Sequence, residues 1–200
     1  MNGTSGAAGL ILAAGESRRM GYPKALLRYR QETFLDTLVG MLAARCAPVI
    51  VVLGARAEEI RARSLRPATF AVNSEYQRGM TTSLQCGLRA VPPEAESVLF
   101  TLVDHPSVAP ATIDALLDGG ALPDGAPLLR VPRYKGRRGH PIRFSRALIA
   151  EFLAAPETGA ARDIVRSHAA ETEFLDLDDP GIVADIDDLE AYRGLIGAAL

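Results

Sequence analysis

Short apolar runs rich in β-branched residues alternate, through the first half of the 200-residue chain, with stretches dominated by Ala, Leu and Arg. Leu10–Ala14, Val49–Leu53, Thr69–Val72 and Val98–Val103 are apolar at nearly every position, the pattern of strands covered on both faces. Between them, Phe34–Ala44 sets Leu35, Leu38, Met41 and Leu42 on one helical face. Glu58–Ser64 reads as a shorter helix, and Thr82–Ala90 carries Leu84 and Leu88 one helical turn apart. Strand and helix in alternation predict βαβ units, hence an α/β fold: a mostly parallel sheet with helices on both faces.

The second half is less regular. Ala111–Leu117, Arg146–Leu153, Ala160–Ala169 and Leu189–Ile196 read as helices, the first starting near Ser107 or Pro110. Pro127–Val131 and Ile142–Phe144 read as strands flanking a basic loop, Pro132–Pro141. Glu173–Leu177 and Ile182–Ile186 read as short strands. Leu122–Pro127 is the most linker-like stretch, but it is short. The prediction is one domain over residues 1–200, with the chain after about residue 125 adding strands and covering the site.

Composition narrows the class. A chain of this size with 48% hydrophobic and 23% charged residues is globular, and it buries roughly 70% of its unfolded surface without staples. The net charge of −2 argues against a general nucleic-acid binder, which needs a basic excess. The charge is unevenly laid out. Arg130, Arg133, Lys135, Arg137, Arg138, Arg143 and Arg146 form a block without an acid, whereas Glu171–Glu190 holds nine acids and no Lys or Arg. The apolar stretches Gly9–Gly15 and Ala47–Ala55 fall short of the roughly 18–20 residues a spanning helix needs. Met1–Ala8 has no basic residues, so neither a signal peptide nor a membrane partner is expected. Cys46 and Cys86 form no CxxC pair, which fits two buried thiols in a reducing cytoplasm. Three histidines, His105, His140 and His168, are too few for a zinc hydrolase to be the expectation.

The most informative segment is Leu12-Ala13-Ala14-Gly15-Glu16-Ser17-Arg18-Arg19-Met20-Gly21-Tyr22-Pro23-Lys24. A buried strand opens into a loop of small residues, where backbone N–H groups can approach an anion at the carboxyl end of a parallel strand. Arg19 and Lys24 would supply charge to phosphates, one as a fork and the other as a point charge. Neither GxGxxG nor GxxxxGK[ST] is present, and by composition alone the loop could be a solvated turn. At every position, however, the string resembles the LAAGxSxRMGxPK signature of nucleotidyltransferases that activate small molecules with NTPs. It is most similar to the molybdenum cofactor cytidylyltransferase branch, related to the molybdenum cofactor guanylyltransferases. The resemblance implies that Leu12, Ala13, Ala14, Gly15 and Ser17 wrap the triphosphate, with Arg19 and Lys24 on the leaving pyrophosphate. Those guanylyltransferases usually carry Gly where Ala14 stands, so Ala14 leans the reading towards CTP.

Four further segments follow in the family's order. Asn73-Ser74-Glu75-Tyr76-Gln77-Arg78-Gly79-Met80-Thr81-Thr82-Ser83-Leu84 reads as a capped helix start, with Thr81, Thr82 or Ser83 as N-cap and Gly79 as the turn. It also resembles a family segment lying against base and ribose, which makes Asn73, Gly79, Met80 and Ser83 nucleotide contacts. Leu102-Val103-Asp104-His105-Pro106 ends the most apolar strand with a carboxylate. That is either a turn former or a magnesium ligand; the resemblance to LxDxP implies a ligand, and no role is assigned to His105. Tyr134-Lys135-Gly136-Arg137-Arg138-Gly139-His140-Pro141 resembles YxGxRGHP, which implies that Arg138, Gly139 and His140 face the acceptor. His140 reads equally well as a turn-shaping residue before proline. Asp185-Ile186-Asp187-Asp188-Leu189-Glu190-Ala191-Tyr192 partly matches DIDTPEDY. Asp188 and Glu190 suit a helix start, while strand alternation would put Asp185 and Asp187 on one face. Asp187 is expected to join Asp104 on the metal, with Asp185 second.

The resemblance spans about residues 9–193. It implies a Rossmann-like three-layer α/β/α nucleotidyltransferase fold with a mostly parallel mixed sheet. Residues 9–125 would form the nucleotide-binding part, and 126–200 the acceptor-facing and metal-completing part. The implied reaction is Mg2+-dependent (Mn2+ possible) transfer of CMP, or another NMP, to a phosphate of molybdopterin, with pyrophosphate released and a molybdenum hydroxylase or its chaperone as recipient. The alternatives are a sugar or polyol phosphate acceptor, or a nucleotide-binding accessory module that hands on cofactor without turnover.

Overall fold

A computed structural model describes residues 6–118, 127–157 and 161–197. In chain order its strands are β1 (Ala7–Ala13), β2 (Arg28–Tyr29), β3 (Glu32–Thr33), β4 (Val49–Leu53), β5 (Thr69–Val72), β6 (Ser97–Leu102), β7 (Leu129–Tyr134), β8 (Arg137–Arg138), β9 (Ile142–Ser145) and β10 (Thr172–Asp176). Its α-helices are α1 (Phe34–Ala43), α2 (Ala57–Arg63), α3 (Met80–Arg89), α4 (Pro110–Leu117), α5 (Ile149–Ala154), α6 (Ala161–Ser167) and α7 (Leu189–Gly197). One sheet runs β10-β7-β9-β6-β1-β4-β5, with β8 on β7, and β2–β3 is a separate hairpin. The pairs β1–β4, β1–β6, β4–β5 and β7–β10 are parallel, and β9 is antiparallel to both neighbours. This is the predicted mostly parallel mixed sheet, covered by helices on both faces.

The layers follow from the sequence pattern. Along β1 the side chains alternate: Ile11 and Ala13 pack with Leu35, Leu38 and Leu42 of α1 and Leu116 of α4. Leu10 and Leu12 pack on the other face with Leu84 and Leu88 of α3 and Phe152 of α5. Every residue of β1 and β4 is buried, which is why these segments read as unbroken apolar runs. Thr33 N-caps α1, its Oγ1 accepting from Asp36 N at 3.0 Å. The chain runs from β1 out through β4 and β5, then returns to β6 on the other side of β1. The β1/β6 junction is therefore a topological switch point, where open α/β sheets bind ligands.

Several expectations are corrected. Ile182–Ile186 is not a strand: Pro180–Val183 is a 3₁₀ turn begun by Asp179, whose side chain accepts from Gly181 N. Beyond it the chain is irregular and joins the β6 end by Ile186 N donating to Asp104 O at 2.9 Å. Helix α3 starts at Met80, not Thr82; its N-cap is Gly79 at φ 126°, and no side chain caps it. The Thr82 hydroxyl instead donates backwards to Gly79 O at 2.9 Å. The basic loop is largely strand, since β7 extends to Tyr134 and returns through β8. Of Leu122–Pro127, only Pro127 lies within the described residues. The β2–β3 hairpin escaped prediction because two-residue strands carry no readable alternation. Cys46 is buried, and burial pushes its thiol up to about 12; Cys86 is only half-buried. Among the described residues no helix is long and apolar enough to cross a membrane.

The largest correction concerns the charge blocks. In the parallel β7–β10 ladder, Arg130 lies opposite Glu173 and Arg133 opposite Asp176. Both pairs close to 2.7 Å. Arg143 is wholly buried, with Nε donating to Ser97 Oγ at 3.2 Å, and Arg146 donates to Pro92 O at 2.8 Å. Much of the basic block is thus bound within the protein, leaving Lys135, Arg137 and Arg138 exposed at the β7–β8 turn.

Candidate active site

At the carboxyl ends of β1 and β6 a cleft of about 740 Å³ opens between the loop after β1, the start of α3 and the turn after β6. The loop folds around Ser17, which sits at φ 53°. Met20 N and Gly21 N both donate to Ser17 O, at 3.0 and 3.1 Å, and Lys24 N donates to Ser17 Oγ at 3.0 Å. That closure starts the short 3₁₀ turn Lys24–Leu26 and aims Lys24 into the cleft. Across from it, Val103 N donates to Leu12 O at 3.0 Å, which sets Asp104 beside the end of β1. The Ile186–Asp104 backbone bond brings Asp187 to the same place.

Four charged side chains from three distant segments converge there. Lys24 Nζ lies 3.2 Å from Asp104 Oδ2 and 2.5 Å from Asp187 Oδ1. Arg19 Nη2 lies 2.9 Å from Asp187 Oδ2. The Lys24 hydrogen bond and charge, with Arg19 adding, hold the Asp187 carboxyl below the usual carboxylate range against its partial burial. Asp185 is exposed and does not line the cleft, so the expected alternation of the two aspartates does not occur; the segment is not extended as a strand.

Of the other sequence-derived positions, Leu12, Ala13, Ala14, Gly15, Ser17 and Gly79 line the cleft, as do Met80 and Ser83. Asn73 does not line it. It is buried behind Ser83, its Nδ2 donating to Ser83 Oγ and Thr82 Oγ1, each at 3.0 Å, so its part is to hold Ser83. Sequence reasoning missed Tyr76, Gln77 and Glu16, which also line the cleft. Gln77 Nε2 donates to Glu16 Oε1 at 3.2 Å across its mouth. Ile60, from α2, contributes a wall that no local pattern announces.

Arg138, Gly139 and His140 do not line the cleft. Arg138 stacks over Phe174, 4.7 Å from the ring centroid. Gly139 packs so closely on the 3₁₀ turn that a Cβ would stand 2.2 Å from Ile182 O. The His140 ring lies 5.2 Å from that of His105, centroid to centroid, and His105 Nε2 is 3.8 Å from Asp104 Oδ1. Burial, then the neighbouring His105, push His140 down to about 3, against a hydrogen bond with the Phe100 backbone. His168 is the opposite case. Its Nε2 is 2.7 Å from Glu151 and its Nδ1 3.0 Å from Glu171, and these carboxylates raise its pKa above 6.5. The small stability this brings, roughly 0–1 kcal/mol for so exposed a pair, is complete below 6.5 and lost as pH rises through the raised value. An imidazole NMR titration should show a His168 midpoint above 6.5, with His140 neutral at every pH above about 5. A His140 midpoint near 6.5 would contradict its burial.

The donor set suits a hard divalent cation. Asp104 Oδ1 is buried without a hydrogen-bond partner, and the two carboxylates already converge on one positive charge. Among the described residues no cluster of three or more His, Cys, Asp or Glu could hold a metal. Two carboxylates completed by phosphate oxygens and water are typical of magnesium.

Fold and site together define an α/β protein in which a loop of small and cationic residues faces paired carboxylates across the switch point. The chain belongs to the MobA-like NTP transferase domain family, which matches residues 9–172. It is 34% identical over 196 residues to the nicotine blue oxidoreductase of Paenarthrobacter nicotinovorans, covering 94% of this chain and 95% of that protein. It is 29% identical over 182 residues to the molybdenum cofactor cytidylyltransferase of Escherichia coli K12, covering 89% of each. The crystal structure of Rv0371c from Mycobacterium tuberculosis H37Rv is similar at 31% identity and a TM-score of 0.82, covering 96% of this chain and 97% of that one. The same protein has also been solved in complex with manganese, and that structure matches at 29% identity and a TM-score of 0.75.

Proposed function

We propose that the protein is a nucleotidyltransferase that moves an NMP group, CMP by preference, from an NTP to a phosphate of a small acceptor, molybdopterin being favoured. An oxygen of the acceptor phosphate attacks the α-phosphorus. The new P–O bond forms as the bond from the α-phosphorus to the α,β-bridging oxygen breaks, and that electron pair leaves with pyrophosphate. No covalent enzyme intermediate is required, so catalysis is positioning plus charge neutralisation. The observation that carries this reading is the convergence of Lys24, Asp104, Asp187 and Arg19 at one end of the cleft.

Arg19 and Lys24 take the charge of the departing phosphates, Arg19 from its exposed position and Lys24 from deeper in the cleft. Tyr76 and Met80 offer an apolar wall to the base, and Ser83, held by Asn73, offers a hydroxyl. Asp104 and Asp187 would hold magnesium, which when bound neutralises phosphate charge and orients the displacement. The manganese complex of Rv0371c supports a divalent cation here. Arg138 is one of the exposed cations at this turn that would be offered to an acceptor phosphate, while Gly139 and His140 shape the segment that carries it.

The test is pyrophosphate release with CTP, GTP and ATP, each paired with molybdopterin, a sugar phosphate or a polyol phosphate in Mg2+. Release with CTP and molybdopterin exceeding every other pair is expected. No release with any pair, despite tight nucleotide binding, would leave an accessory protein. A second reading is redox chemistry in the same cleft, favoured by the similarity to an enzyme named an oxidoreductase. Turnover of a redox substrate with no NTP consumed would put that reading first.

A further inference from the structure

Lys24 stands between the two carboxylates that a divalent cation would need. Its Nζ engages Asp104 Oδ2 at 3.2 Å and Asp187 Oδ1 at 2.5 Å. Arg19 takes the remaining Asp187 oxygen at 2.9 Å. Two positive groups therefore satisfy two negative ones. The Lys24 side chain is only 13% exposed, so solvent and salt screen this pairing less than a surface one. A divalent cation held by the same oxygens would meet the ammonium at close range, and two positive charges there repel.

We propose that Lys24 is a resident counter-ion of the metal position, and that a triphosphate is what removes it. This inference rests on the nucleotidyltransferase reading. The Lys24 backbone is anchored by its N–H on Ser17 Oγ at 3.0 Å, while its four-carbon stem can swing. Polyphosphate oxygens draw Lys24 and Arg19 away, and Asp104 and Asp187 are then released to the cation that arrives with the nucleotide. The nucleotide-free site stays neutral, rejects free divalent cation and needs no closing lid. Because the linkage is reciprocal, removing the ammonium raises the cation affinity of the nucleotide-free protein by the amount its displacement costs.

The experiment titrates Mn2+ alone into nucleotide-free protein, reading free Mn2+ by electron paramagnetic resonance. Lys24→Met is expected to tighten Mn2+ binding by about tenfold or more. Lys24→Gln, which keeps a neutral donor in place, should tighten it as well and guards against a folding failure of the Met variant. Lys24→Arg keeps the charge and should stay near wild type. The gain should vanish in Lys24→Met/Asp104→Asn, which assigns it to this pair of carboxylates. Equal affinity for wild type, Lys24→Met and Lys24→Gln overturns this inference alone and leaves the transferase reading standing. Absence of Mn2+ binding in every protein, even with CTP present, overturns the metal assignment and this inference together.

Discussion

Asp104→Asn is expected to lower turnover by about 10²–10⁴-fold, the scale of removing one preorganised charge from a phosphoryl-transfer site. The substitution preserves size and leaves the backbone carbonyl that accepts from Ile186 N at 2.9 Å, so the tail segment stays in place. What disappears is the negative charge that Lys24 Nζ meets at 3.2 Å, shared with a buried Oδ1 that has no hydrogen-bond partner. Loss should fall on kcat, together with a weaker dependence on Mg2+ concentration, and the melting temperature should change little. Unchanged turnover with unchanged Mg2+ dependence would remove Asp104 from the site.

Asp179→Ala is expected to have the largest effect on stability. This buried carboxylate accepts from Ala109 N at 2.9 Å, Thr112 Oγ1 at 2.6 Å and Gly181 N at 2.9 Å. It serves the start of α4, whose own N-cap residue, Ala109, offers no side-chain acceptor, and it pins the turn that leads to Asp187. Removing it strands three donors at once, two of them buried, a cost of roughly 2–4 kcal/mol, or about 5–15 °C in melting temperature for a domain of this size. Asp179→Asn keeps an acceptor oxygen and should lose less. A shift under about 2 °C on thermal melting of the Ala variant would show that water replaces the carboxylate.

How far each feature could be read depends on how local its cause is. The runs in β1, β4 and β6 announced themselves because each residue's burial is set by its own strand; β5 read as equally covered, but it is the edge strand and none of its residues is buried. The loop from Gly15 to Lys24 stood out because small residues, Arg19 and Lys24 lie together on the chain, and the structure places that loop on the cleft. Asp187 is instructive in a different way. Alternation along a strand pointed to both aspartates, but the segment is irregular, and Asp187 reaches Lys24 while Asp185 stays in solvent. Asn73 likewise lies in the right segment yet acts from behind, since its amide is turned to Ser83 and Thr82.

The two charge blocks mark the same divide. A basic run without acids looked like a surface awaiting an anionic ligand, but the β7–β10 register sets Arg130 on Glu173 and Arg133 on Asp176. By itself, the sequence determined the alternating elements, the mostly parallel sheet with its two helical layers, and the grouping of small residues, Arg19 and Lys24 at the end of β1. Only the tertiary structure decided which charges cancel one another, that Asp185 stays outside the cleft, and that Lys24 lies between Asp104 and Asp187. Periodicity records whether a side chain is buried within its own element, whereas ion pairing depends on register and distance between segments the chain brings together from far apart.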